Sequence, residues 1–169
     1  ELLTLIDGLA HQESKGVTYW DYIEVDTLLS LQKAKTNFPD EIIFIAYHQI
    51  CELYFKLIIQ ELEKIVLPEK HGTRFLNNDI VTLWTTVLTR VIRYFSKLSG
   101  SFDIMREGLD PEQFEIFRKS LLPAGGFQTY QFRLIEILLT PYENLIKDSE
   151  KENVKNETDV DKKFDHIYW

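Results

Sequence analysis

Two side chains of this 169-residue sequence stand where chemistry could be done, His48 and Arg118. His48 has Phe44 one helical turn before it and Glu52 one turn after it, so a ring, an imidazole and a carboxylate share one helix face. His and Glu at i and i+4 can ligate one metal ion. Carboxylate-bridged centres in helical bundles, however, use paired Glu-x-x-His motifs. None of His11, His48, His71 or His166 has a Glu three residues before it, so no such centre is expected. A lone His on an apolar face is more often a core residue than a functional one, and the spacing leaves both readings open. Arg118 follows two rings in Phe114-Glu-Ile-Phe117-Arg118. Its guanidinium could clamp a carboxylate through two parallel hydrogen bonds, or its stem could merely cover apolar surface.

Two further stretches border these residues. Pro123-Ala124-Gly125-Gly126-Phe127 is rich in glycine but lacks the Lys-Ser/Thr ending of a phosphate-binding loop. Its glycines permit close approach of the backbone to another helix or to a flat cofactor. Tyr19-Trp20-Asp21-Tyr22-Ile23 is an aromatic cluster of the kind that packs in cores or interfaces.

The elements that carry these residues read as helices. Apolar residues at 2, 3, 5, 6 and 9 form one side of a helix over 1–12, and Thr18 is placed to cap another over about 19–33. Asp40 is a candidate N-cap, with Glu41 adding first-turn charge, for a long helix reaching Val66. That helix is apolar over most of its circumference, the pattern of an element buried on several sides. A second long helix is expected over about 76–98, a short one starting at Pro111, and a third amphipathic one over 127–139. From Lys147 to Lys163 charge dominates, which reads as a solvated connection. The expected organisation is therefore an all-α domain over 1–146, with 147–169 a charged connection and the start of a further element.

Composition narrows the function classes. Nineteen Lys and Arg against twenty-seven Asp and Glu give a net charge of −8, which argues against a nucleic-acid partner. Cys51 is the single cysteine and fits a reducing, cytoplasmic setting. The longest strictly apolar run, Ile42 to Tyr47, is far short of the ~20 residues a membrane span needs, so no membrane association is expected. Aromatic residues make up 13%, which suits a ring-lined pocket.

Three blocks together are more specific than any of them singly. Phe44-Ile-Ala-Tyr-His48-Gln-Ile-Cys-Glu52-Leu-Tyr-Phe-Lys56 resembles the Phe-x-x-x-His-Gln-x-x-Glu-Leu-Trp-Phe-Lys segment of the tryptophan 2,3-dioxygenases. Phe114-x-x-Phe-Arg118, followed by Leu121-Leu-Pro-Ala-Gly-Gly-Phe127-Gln128 and Gln131-Phe132-Arg133, is similar to a second block of that family. Tyr19-x-x-Tyr22-Ile-x-x-Asp26 resembles its N-terminal segment.

The resemblance implies an all-α bundle of the tryptophan/indoleamine 2,3-dioxygenase type and a cytoplasmic homotetramer using haem b. The reaction it implies joins both atoms of O2 to L-tryptophan to give N-formylkynurenine, the first step of tryptophan catabolism via kynurenine. By the same resemblance His48 accepts a hydrogen bond from the indole N–H and Phe44 packs on the indole. Arg118 pairs with the substrate carboxylate, with Phe114 beside it. Ala124, Gly125 and Gly126 lie over the haem, Arg133 sits near its edge, and Tyr19, Tyr22 and Ile23 reach into a neighbouring subunit's pocket. Gly125 departs from the family's usual Ser. The family's proximal haem-ligating His, and the Thr that meets the substrate ammonium, belong to a C-terminal half without counterpart here. The chain is thus expected to be the N-terminal, distal-side portion, with no metal ligand of its own. Two other readings stay open: a related haem enzyme acting on a substituted tryptophan, and a non-catalytic helical association module.

Overall fold

The computed structural model describes residues 17–68, 79–121, 126 and 129–155, and these residues form helices and turns with no strand among them. The helix expected over 1–12, and Ala124 and Gly125, lie outside the described residues.

The chain enters through two short helices, α1 (Tyr19–Tyr22) and α2 (Val25–Leu29). Thr18 caps α1 as its position suggests: its Oγ1 accepts from the Asp21 N–H at 3.1 Å and donates to the Asp21 carboxylate at 2.6 Å. The single helix expected over 19–33 does not form. Glu24 stands in the left-handed region at φ 52, which interrupts the helix, and helical structure ends at Leu29.

Helix α3 (Glu41–Val66) runs where its pattern predicts, but its start is built differently. The Asp40 side chain makes no capping bond to its own helix. Its Oδ2 accepts instead from the backbone N–H of Asp110, at 2.7 Å. Glu41 is buried, and its carboxylate receives the Lys35 N–H, the Thr36 N–H and the Thr36 hydroxyl, which fastens the preceding turn to the helix. Burial alone would raise the Glu41 carboxyl, but the bonds from Thr36 and Lys35 outweigh it and hold the carboxyl below its ordinary value.

Helix α4 (Asp79–Ser101) returns along α3, and the chain continues through α5 (Asp103–Gly108) and α6 (Pro111–Phe117). Asp110 caps α6 by accepting from the N–H groups of Glu112 and Gln113, with Pro111 in the first turn. A 3-10 turn over Arg118–Leu121 follows, and then α7 (Tyr130–Leu139), capped by Thr129. Two 3-10 turns, Tyr142–Asn144 and Asp148–Glu150, lead to α8 (Lys151–Lys155). Burial continues across position 146: Leu145, Ile146 and Val154 are all inside.

The core lies where α3, α4 and α7 meet, at Ile58, Leu62, Val87, Val91 and Ile135. Burying a side chain of this size contributes roughly 1.5–3 kcal/mol. Glu61 sits beside this core and pairs with Lys64 at 2.7 Å and Arg90 at 3.2 Å, the latter tying α4 to α3. Gln131 ties α7 to α3 by donating to the Glu52 carbonyl at 2.9 Å and to its carboxylate at 2.7 Å.

The opposite face of α3 is uncovered: Ile42, Ile50, Leu53 and Leu57 are exposed. By length and composition this helix could also cross a membrane, with a mean hydropathy of 1.5 over its 18-residue window. Strictly apolar runs miss this, because isolated polar residues such as Gln49, Glu52 and Lys56 interrupt them.

Candidate functional site

His48 lies in the first half of α3, and its local geometry determines its chemistry. Its Nδ1 is 2.8 Å from the Phe44 carbonyl oxygen. A carbonyl can only accept, so Nδ1 carries the proton, and whenever the ring is neutral Nε2 is its acceptor. The Phe44 ring stacks against the imidazole with centroids 4.0 Å apart, and Tyr47 meets it edge-on at 5.6 Å. On the other side stands Gly126. A Cβ added there would lie 3.7 Å from His48 Cδ2 and 3.9 Å from Nε2, so glycine keeps the acceptor face of the ring open.

Two clefts, each of about 530 Å³, share the wall formed by His48, Glu52 and Gly126. The first is lined by Leu28 and Leu31 from the α2 region, Phe44, Gln49 and Leu53 from α3, and Thr129 and Gln131 at the start of α7. The second is lined by Tyr47, Cys51, Phe55, Phe95, Phe102 and Phe132. Burial, together with the nearby Glu52 charge, pushes the Cys51 thiol above its ordinary value despite its hydrogen bond with Tyr47. Burial also raises Tyr47.

From Phe44 a ladder of rings leads outward. Phe114 lies 6.1 Å from Phe44, Phe117 lies 5.4 Å from it, and the Arg118 guanidinium rests over the Phe114 ring at 5.5 Å. Arg118 is on the ladder but lines neither cleft; its side chain is 53% exposed and donates to Glu115 at 2.9 Å. Arg133 is mostly buried on α7 and pairs with Glu136. Tyr19 and Tyr22 are exposed by 77% and 80%, with Ile23 at 39%, so they point away from this chain's own clefts.

The structure therefore brings His48, Phe44, Phe114 and Gly126 together. It holds Arg118 one ring away and leaves Tyr19, Tyr22 and Ile23 facing outward. The pattern reading passed over Gln49 and Gln131, although both stand inside motifs it singled out. It also passed over the second cleft, whose rings come from α3, α4 and α7 and have no shared spacing.

The ring-lined walls and the open Gly126 position fit a large flat apolar cofactor such as haem. Ala124, Gly125, Gly126 and Arg133 are the residues the resemblance assigns to holding it.

Comparison with known proteins points to the same family. The family model described as tryptophan 2,3-dioxygenase matches residues 6–166. The tryptophan 2,3-dioxygenase of Ruegeria sp. is 35% identical over 133 residues, which is 79% of this chain and 45% of the relative. That of Bacillus thuringiensis subsp. konkukian is 34% identical over 155 residues, 90% of this chain and 53% of the relative. That of Herpetosiphon aurantiacus is 37% identical over 129 residues, 75% of this chain and 46% of the relative. The chain spans about half the length of the curated relatives it matches. With the match extending over nearly its whole length, the chain belongs to the tryptophan 2,3-dioxygenase family.

Proposed function

We propose that the protein bearing this chain is a haem-dependent dioxygenase that converts L-tryptophan and O2 to N-formylkynurenine, the first step of tryptophan catabolism via kynurenine. The observation that carries the reading is His48: an imidazole with its proton on Nδ1, so that Nε2 is left beside Gly126 where two clefts meet. An indole N–H is a donor with no acceptor capacity, and it matches an Nε2 lone pair held in place. Phe44 gives the indole a flat surface, and the apolar walls keep water from the reacting carbons. Bound haem supplies the O2 activation, and the protein's part is to orient the substrate and exclude water.

Arg118 receives the substrate carboxylate. Glu115 already occupies it with a carboxylate, and an exposed pair of this kind contributes only about 0.2–1 kcal/mol, so a substrate carboxylate can replace it. Tyr19, Tyr22 and Ile23 reach into a neighbouring subunit's pocket in a homotetramer, a reading supported by their exposure. The single cysteine and the acidic charge support a cytoplasmic protein without a nucleic-acid partner. The uncovered apolar face of α3 is a surface for further protein rather than lipid, because the exposed Lys56 lies at its edge. Gly125 in place of the family Ser favours a second reading, a superfamily haem enzyme acting on a substituted tryptophan.

The test is to express the natural gene product, titrate it with haem and follow the Soret band, then add tryptophan and oxygen and follow N-formylkynurenine absorbance. Product formation with tryptophan supports the first reading, and turnover of substituted tryptophans alone supports the second. Haem binding with no turnover of either sinks both. Arg118→Lys should lower kcat/KM for tryptophan about ten- to a hundredfold, the loss expected for a two-pronged charged contact. An unchanged value removes Arg118 from the site.

A further inference from the structure

Helix α2 has five residues, too few to be stable as an isolated helix, yet Leu28 and the adjoining Leu31 form one wall of the first His48 cleft. What holds that wall is a pair of glutamines. Gln32 Nε2 donates to the Leu28 carbonyl at 3.0 Å and also to Gln49 Oε1. Gln49 Nε2 in turn donates to the Leu31 carbonyl at 3.2 Å. The Leu28 carbonyl also accepts from the Leu31 N–H at 3.3 Å and the Leu31 carbonyl from the Lys33 N–H at 3.1 Å, so what the glutamines add to these local bonds is the tie to α3. Gln49 stands next to His48 in α3 and lines the same cleft. One residue of the helix thus presents the acceptor imidazole, and the next fixes the wall across from it.

We propose that Gln49, acting through Gln32, is a positioning residue that sets the outer wall of the substrate cleft and thereby tunes tryptophan affinity rather than the chemical step. The inference rests on the reading of the His48 cleft as the tryptophan site. Gln49 hydrogen-bonds to Gln32 and to the Leu31 carbonyl, whereas the imidazole is held by the Phe44 carbonyl. Its loss frees Leu28 and Leu31 and leaves His48 held by its own bond to Phe44.

The test uses the natural haem-loaded protein and the variant Gln49→Met, which keeps the side-chain length and removes both hydrogen bonds. Amide hydrogen exchange over residues 28–32 should speed up about tenfold or more, while residues 58–66 keep their protection. KM for tryptophan should rise about tenfold, with kcat within twofold. Gln32→Met should give the same pair of changes, and the double variant should add little because the two side chains form one unit. Gln49→Glu, which retains the acceptor for Gln32, should recover part of the affinity. Unchanged exchange over 28–32 in Gln49→Met overturns the proposal, and so does a fall in kcat at constant KM. If the parent protein turns over no tryptophan, the functional reading fails on its own, and the exchange measurement alone then decides whether Gln49 holds the wall.

Discussion

The two halves of α3 are about equally apolar and have opposite fates. In the second half Ile58 and Leu62 are enclosed by Val87, Val91 and Ile135, and Glu61 ties the helix to Arg90. In the first half Phe44 and His48 border clefts, and the segment beyond them is fastened by single side chains, Glu41 to the turn at 35–36 and Gln49 to Leu31. Apolar burial is non-directional and tolerates small shifts, whereas a hydrogen bond to a carbonyl fixes a position. One helix is thus anchored at one end by packing and presents chemistry at the other, where placement matters more than strength.

Substitutions in the two halves should separate stability from activity. The largest effect expected is from Ile58→Ala, which leaves a cavity in the core and should cost about 2–5 kcal/mol, read as a fall in the denaturant midpoint. A cost below about 1 kcal/mol would mean that the core is not the anchor. His48→Ala should reverse the pattern: tryptophan turnover falls about ten- to a hundredfold, while haem remains bound and the denaturant midpoint barely moves. Loss of haem from that variant would make His48 a ligand rather than a substrate contact.

Glu41→Gln should cost about 1 kcal/mol at neutral pH. Because the folded-state carboxyl lies below its ordinary 4.5, the parent protein gains stability above that pH and loses it as pH falls through the folded value. The variant should lack that acid-side loss, so the two stability curves should converge at low pH; parallel curves would remove the Glu41 clamp. Gly126→Ala should be the mildest for the fold, changing stability by no more than about 1 kcal/mol, since the added methyl stands at ordinary contact distance from the imidazole. Turnover should nonetheless drop, because the methyl sits against Nε2. Full activity would show that this face of the ring is not used.

The elements that a sequence reader could find are those whose signals are local. The start of α6 is legible because Pro111 suits a first helical turn, and α3 because its apolar pattern persists for 26 residues. The break after Tyr22 is not legible, since Glu24 is no usual occupant of the left-handed region and nothing beside it marks the turn. Asp40 shows the same limit from the other side. It has the residue type of an N-cap, yet it serves a backbone N–H 70 positions away, a choice made by tertiary contact alone. In the site, His48 and Phe44 follow from one helical turn. That Arg118 pairs with Glu115 and rests on Phe114 depends on side-chain geometry that spacing does not determine.

The partner of His48 Nδ1 is a main-chain carbonyl, and every residue type that could replace Phe44 brings the same carbonyl with it. The tautomer of the imidazole is therefore insulated from mutation at position 44: a substitution there can reshape the ring stack without changing which nitrogen carries the proton. Only a change that unwinds this turn, such as a proline within it, deletes the acceptor. The chemical identity of the site's one acceptor nitrogen is inherited from the helix itself, which leaves the surrounding side chains free to vary with the substrate.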